Sequence, residues 1–176
     1  MKETGLIHIY TGDGKGKTTA AVGLATRALG NDFKVCYVSF HKRPEIYGYA
    51  EKDSLKKLGA TVLHFAKGHP FLDRSIPVET MVKEVPEGLA HVEKLINEEH
   101  FDLLILDELV ISVRDNFIPE ERVIEFIKNK PADLELVITG RGATPGLIEI
   151  ADYVSNIQKI KHPFDKAITS RKGIEY

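Results

Sequence analysis

Glycine, acid and lysine alternate in "YTGDGKGKTTAA", Tyr10 to Ala21, and the flanks of this stretch restrict what the chain can fold into. Before it stands "GLIHIY", Gly5 to Tyr10, a short apolar run that reads as a buried strand. After the glycines comes "KTTAAVGLATRAL", Lys17 to Leu29. Ala20, Ala21, Leu24, Ala25 and Ala28 recur there at helical spacing, before a stop signal at Gly30-Asn31. The glycines therefore join a strand end to a helix start. Unpaired backbone N–H groups converge at such a junction, and the helix dipole adds partial positive charge. An anion, most simply a phosphate, is the natural guest.

Gly16-Lys17-Thr18 matches the end of the phosphate-binding loop pattern G-x-x-x-x-G-K-[ST]. Thr11 takes the place of the first glycine, and Gly12 follows one residue later. The candidate triphosphate contacts are Gly12, Asp13, Gly14, Lys15, Gly16, Lys17, Thr18 and Thr19. Lys17 brings a flexible point charge to phosphate oxygens, and the Thr18 hydroxyl suits magnesium. The dinucleotide fingerprint G-x-G-x-x-G fails, because Lys17 stands where its third glycine belongs.

Downstream, apolar runs alternate with helical patterns. Strands are predicted in "KVCYVSF", "TVLHF", "FDLLILDEL", "LELVITGRG" and "YVSNIQKI". Helices are predicted in "EKDSLKKLG", "PEGLAHVEKLINEEH" with Pro86 near its start, "PEERVIEFIKNK" and "TPGLIEIA". Strands separated by helices imply an α/β fold, a mainly parallel sheet of about six strands with helices on both faces, as in RecA-like P-loop NTPases. At 176 residues, with no linker or repeat, the chain is expected to be one domain spanning 1–176. "HKRPEIYGY" and the stretch Ala66 to Val85 lack clear periodicity. Both follow strand C-terminal ends, where open α/β sheets bind ligands, so the longer is a candidate lid or substrate loop.

Two further motifs carry chemistry. In "DLLILDE" an apolar run delivers Asp107, the form of a Walker B strand, and Glu108 follows as a second acid. Asp107 could hold magnesium directly or through water, or cap the next helix; Glu108 could complete the metal shell or act as a base. The P-loop upstream favours the metal reading, and the expected metal set is Thr18, Asp107 and Glu108. The strands that end in these two motifs are expected to lie side by side. Arg141 leaves the fifth strand in "TGRGA" between two glycines, and its planar guanidinium suits a phosphate.

A net charge of −2 gives no basic field for nucleic acid, and no apolar run is long enough to span a membrane. One cysteine, Cys36 in "KVCYVSF", reads as a buried strand thiol and fits a reducing compartment. With no signal-peptide pattern before the first strand, the expected location is the cytoplasm.

"TGDGKGKTTAAVGLATRALG", "DLLILDEL", "LELVITGRGA" and the ending "IKHPFDKAITSRKGIEY" together resemble the P-loop family of ATP:corrinoid adenosyltransferases. The resemblance runs from Gly5 to Tyr176 and is weakest between Arg43 and Val85. It implies transfer of the 5′-deoxyadenosyl group of ATP to the cobalt of a reduced corrinoid, with triphosphate released whole. ATP would lie reversed in the loop relative to kinases. Lys17 and Glu108 would carry the catalytic roles, with Thr18 and Glu108 on magnesium. The implied substrates are ATP and cob(I)alamin or another corrinoid. A flavoprotein reductase is the implied electron donor, and a homodimer the expected assembly. Relatives carry F-T-W after a glycine that follows the third strand; this chain has "KGHPFLD", so His69 and Phe71 become the candidate corrinoid contacts. His69 could pack like the aromatic or ligate cobalt. Two alternatives stand beside the resemblance: a P-loop phosphotransferase or NTPase, and a nucleotide-switched binding module.

Overall fold

The computed structural model describes residues 4–175. Six strands form one sheet: β1 (Ile7–Thr11), β2 (Val35–Phe40), β3 (Thr61–Phe65), β4 (Leu103–Asp107), β5 (Glu135–Thr139) and β6 (Tyr153–Asn156). Their order is β3-β2-β4-β5-β1-β6, and every neighbouring pair is parallel. The central strands β2 and β4 are buried at every position, which is why they read as unbroken apolar runs.

Side-chain alternation divides the core between the two faces. Tyr37, Ile105 and Val137 pack with α1 (Lys17–Leu29) and α3 (Ala50–Lys57) through Ala21, Ala25 and Leu55. Val38, Leu104, Leu106 and Ile138 face α4 (Val78–Glu98), α5 (Leu109–Arg114), α6 (Glu120–Asn129) and α7 (Pro145–Ile150). Cys36 is a free buried thiol, pushed up to about 12 by burial, as a strand cysteine should be. Two residues beyond Tyr37, Ile105 and Val137 stand Ser39, Asp107 and Thr139. The period of two leaves all three on the α1 side, at the strand ends where the P-loop begins.

Four expectations change. The strands that end in the P-loop and in Asp107 are not side by side, because β5 lies between β1 and β4. Helix α4 begins at Val78, so Pro86 lies inside it instead of near its start. Met81, Val85, Leu89, Val92 and Ile96 form a buried stripe along α4, and that burial outweighs the roughly 3 kcal/mol an interior proline costs. The irregular connection after β3 therefore shrinks to residues 66–77. "HKRPEIYGY" contains a single helical turn, α2 (Pro44–Tyr47), and α5 was not legible as an element.

Candidate active site

The P-loop glycines answer two demands. Gly16 is the N-cap of α1 at φ 130, a conformation closed to most side chains. Gly12 is bare for packing: a Cβ there would stand 2.4 Å from the Asn156 Oδ1 atom and 2.5 Å from the Ile157 carbonyl oxygen. The chain leaving β6 lies against the outside of the loop, and Gly14 donates its N–H to the Ile157 carbonyl at 2.7 Å. Lys17 is buried, and its ammonium donates to the carbonyls of Gly12 (2.6 Å) and Gly14 (2.8 Å). Burial lowers its pKa, with Glu108 opposing.

Asp107 is the hub beneath the loop and is fully buried. Its Oδ1 accepts hydrogen bonds from the hydroxyls of Thr18 (2.9 Å) and Thr139 (2.7 Å). Its Oδ2 accepts from the Tyr37 hydroxyl at 2.8 Å and lies 2.5 Å from the Lys42 ammonium. Desolvation alone would raise the Asp107 pKa, but Lys42, Thr139 and Tyr37 hold it below the ordinary carboxylate value. Desolvation likewise pulls Lys42 down, and Asp107 more than restores it, leaving the ammonium above its ordinary value. Four donors occupy about all the acceptor capacity a carboxylate has, so Asp107 presents no lone pair to a metal. Nor does it cap α5: the N-cap is Glu108, at φ 68. Thr139 bridges the two acids, accepting from the Glu108 N–H at 3.0 Å.

Glu108 differs from its neighbour. Its Oε2 atom is out of solvent and has no hydrogen-bond partner. Desolvation first, then the adjacent Asp107 carboxylate, raises its pKa. The Glu108 carboxylate and the Thr18 hydroxyl, whose proton is already given to Asp107, line one cavity and are hard oxygen donors, the chemistry magnesium takes. Thr18 and Glu108 fit that ion, and Asp107 is hydrogen-bonded to Thr18.

One cavity of about 760 Å³ brings the candidates together. Gly14, Lys15, Gly16, Lys17, Thr18, Thr19, Glu108, Arg141, His69 and Phe71 all line it. Gly12, Asp13 and Asp107 do not. Arg141 stands exposed on the wall between Gly140 (φ 145) and Gly142 (φ 76), without an ion-pair partner among the described residues.

The loop after β3 has a pinned base and a bare tip. His69 is buried, its Nε2 2.9 Å from the Asp115 carboxylate, while its Nδ1 accepts the Phe71 N–H at 3.1 Å. Both ring nitrogens of His69 are thus engaged within the protein. His41 meets it edge-on with centroids 5.2 Å apart, and Phe117 packs on both rings. His41 Nδ1 lies 3.2 Å from the Gly68 carbonyl and Nε2 lies 2.7 Å from the Ser112 hydroxyl. Because a carbonyl only accepts, Nδ1 carries the proton and Ser112 donates to Nε2. Burial depresses His41 to about 4, so this ring stays neutral. Above this base Phe71 is 86% and Leu72 83% exposed.

Sequence reasoning missed Lys42, Tyr37, Thr139, His41, Ser112 and Asp115. Lys42 had one usable signal: it stands two residues past an apolar strand, on the sheet edge where ligands bind. The others are ordinary residues until the fold pairs them. The closing segment also enters the site, since Ser170, Gly173, Ile174 and Glu175 line the cavity and Lys15 reaches the Ile174 carbonyl at 3.4 Å.

The chain is 35% identical over 174 residues to the corrinoid adenosyltransferase of Escherichia coli (strain K12), covering 99% of this chain and 87% of that protein. It is 33% identical over 181 residues to corrinoid adenosyltransferase CobA of Salmonella typhimurium, covering 100% of this chain and 88% of that one. The Pseudomonas aeruginosa corrinoid adenosyltransferase is 32% identical over 174 residues, 99% of this chain and 85% of its own. The family model described as ATP:corrinoid adenosyltransferase BtuR/CobO/CobP matches residues 3–176, and the chain belongs to that family.

Proposed function

We propose that this protein transfers the 5′-deoxyadenosyl group of ATP to the cobalt of a reduced corrinoid. Cobalt of the cob(I) substrate supplies the electron pair for a new Co–C5′ bond. The C5′–O bond breaks, and triphosphate departs with the electron pair of that C–O bond. The observation that carries this reading is the single cavity. It joins a P-loop mouth and Glu108 to an exposed apolar pair, Phe71 and Leu72, across space sufficient for a nucleotide and one face of a large ring.

Each residue has a task set by its surroundings. The Gly14–Thr19 backbone and Lys17 hold the triphosphate, and their dipoles and charge lie where negative charge grows on the leaving group. Arg141, on the wall and without an ion-pair partner among the described residues, supplies a second cation to the same anion. Thr18 and Glu108 would hold magnesium, which when bound neutralises phosphate charge and so improves the leaving group. Asp107 fixes the Thr18 proton and thereby the direction of its lone pairs. Phe71 and Leu72 offer a flat apolar contact that excludes water from one axial side of the corrinoid, while His69 holds the loop in place.

A reduced corrinoid must be made from cob(II), so a flavoprotein reductase is the electron donor in this reading. The working assembly is a homodimer in the cytoplasm. Among the described residues no helix is long and apolar enough to cross a membrane. Anaerobic incubation with ATP and chemically reduced cob(I)alamin tests the reaction. The expected result is inorganic triphosphate in equal amount with adenosylated corrinoid, read by phosphorus NMR. ADP as the main product would instead indicate a phosphotransferase.

A further inference from the structure

Asp107 and Glu108 are adjacent acids at the end of β4, and they are not equivalent. Glu108 carries a desolvated oxygen with no partner. Asp107 already holds a cation, because the Lys42 ammonium sits 2.5 Å from Oδ2. That ammonium is also fully occupied. Its other neighbours are the Tyr37 hydroxyl at 3.3 Å and the Glu51 carboxylate at 3.3 Å, and it lies 4.9 Å above the Tyr49 ring. Lys42 is 8% exposed, so it is no surface side chain that happens to reach inward. Among the described residues no group of three or more His, Cys, Asp or Glu side chains could hold a metal ion by itself.

Two neighbouring carboxylates beneath a P-loop would be a strong divalent-cation site if both were free. Here one of the two negative charges is cancelled from within. We propose that Lys42 is a built-in cation standing in the charge position of a metal at Asp107, so that the protein alone holds no divalent ion and metal enters only when nucleotide phosphates supply the missing ligands. This rests on the reading of Thr18 and Glu108 as the metal side chains. It makes Lys42, which lines the same cavity, a positioning residue: its ammonium keeps Asp107 oriented toward Thr18 and sets when the metal binds. An enzyme whose leaving group is a whole triphosphate gains from that order, because the metal arrives with the group it must neutralise. Through Glu51 and Tyr49 the same ammonium ties the start of α3, a wall of the cavity, to the metal acid.

The probe is Mn²⁺, with free ion counted by electron paramagnetic resonance. Wild-type protein without nucleotide is expected to leave Mn²⁺ free up to millimolar concentration. Lys42→Gln exposes the Asp107 Oδ2 and should bind Mn²⁺ alone at least about tenfold more tightly than wild type; Lys42→Arg, which keeps the charge, should not. Lys42→Gln/Asp107→Asn should lose the gain. A role in folding alone would lower thermal stability without creating Mn²⁺ affinity. Equal Mn²⁺ binding by folded Lys42→Gln and wild type would overturn the inference. Should Lys42→Gln not fold, Asp107→Asn and the double variant decide. The single variant leaves an uncancelled ammonium beside the metal and should bind Mn²⁺·ATP several-fold more weakly than the double; equal affinities would overturn the inference as well. The underlying site reading fails separately, if wild-type ATP affinity is the same with and without Mn²⁺.

Discussion

The floor and the rim of the cavity are built on opposite principles. Beneath the floor, Asp107, Tyr37, Thr139 and Lys42 are withdrawn from water and are paired with one another. On the rim, Phe71 and Leu72 project into solvent with only the loop base beneath them fixed. The floor must position hard, charged groups to a fraction of an ångström, which requires pre-organisation in a low dielectric. The rim must receive a broad apolar ring and gains its energy only when that ring arrives. Floor substitutions should therefore cost stability before any substrate is added, and rim substitutions should cost almost none.

The largest effect should come from Asp107→Ala. It leaves the buried Lys42 ammonium with Glu51 as its one remaining carboxylate among the described residues and frees three hydroxyls, so a loss of about 3–5 kcal/mol of folding stability is expected. Urea denaturation measures it; a loss under about 1 kcal/mol would mean the floor is not pre-organised. His41 comes next and joins the two regions. Its folded pKa, about 4, lies below the unfolded value of about 6.5 because burial resists the charge. The unfolded chain therefore binds the proton first on acidification. The contribution is complete above about pH 6.5 and is lost as pH falls toward 4, a swing on the order of 3 kcal/mol. His41→Gln should flatten the stability profile in that window, and an unchanged slope there would place the acid sensitivity elsewhere.

The same contrast explains what could be read from the sequence. The strand–glycine–helix junction was legible because every signal is local: an apolar run, glycines for positive φ, then alanines at helical spacing. Asp107 was legible as an acid ending a buried strand, but its partners were not. The partner that occupies it, Lys42, is 65 residues away in "SFHKRP" and looks like an exposed loop lysine. Strand order was equally hidden. Crossover lengths permit β1 to pair with β4 or β5, and only packing puts β5 and its Thr139 between them. In α4 the reading stopped at Pro86 because a proline is a local breaker, whereas the stripe from Met81 to Ile96 is a tertiary argument. The His41–Ser112 and His69–Asp115 links join positions 71 and 46 residues apart, and no spacing rule finds such pairs.

Lys17→Ala tests the phosphate loop that stands over the floor. It removes a buried cation whose present partners are neutral carbonyls, so folding should change little while ATP affinity falls at least tenfold, about 1.4 kcal/mol. Calorimetric titration with Mg²⁺·ATP measures this, and unchanged affinity would remove the P-loop from the site.

Phe71→Ala should give the smallest stability change and the most specific functional one. An 86% exposed ring contributes little to the folded state, so unfolding should shift by less than about 0.5 kcal/mol. The corrinoid reaction should respond differently. Covering one axial side of the ring with a phenyl group removes water from cobalt, which makes cob(II) easier to reduce; cob(I), once made, has no strong axial ligand to lose. The variant is therefore expected to be impaired far more when the reaction starts from cob(II)alamin and a mild reductant than when it starts from chemically made cob(I)alamin. The ring's burial against the corrin sets the ceiling, ~1.5–3 kcal/mol of contact energy. His69→Phe sharpens the same comparison. It keeps the packing against His41 and Phe117 but loses the hydrogen bonds to Asp115 and the Phe71 N–H. If the rim works by holding Phe71 in place, that variant should lie between wild type and Phe71→Ala in the cob(II) assay. Equal impairment of Phe71→Ala in both assays would reduce the rim to a binding surface. No impairment in either would move the corrinoid to the opposite wall, against Tyr49 and Ala50.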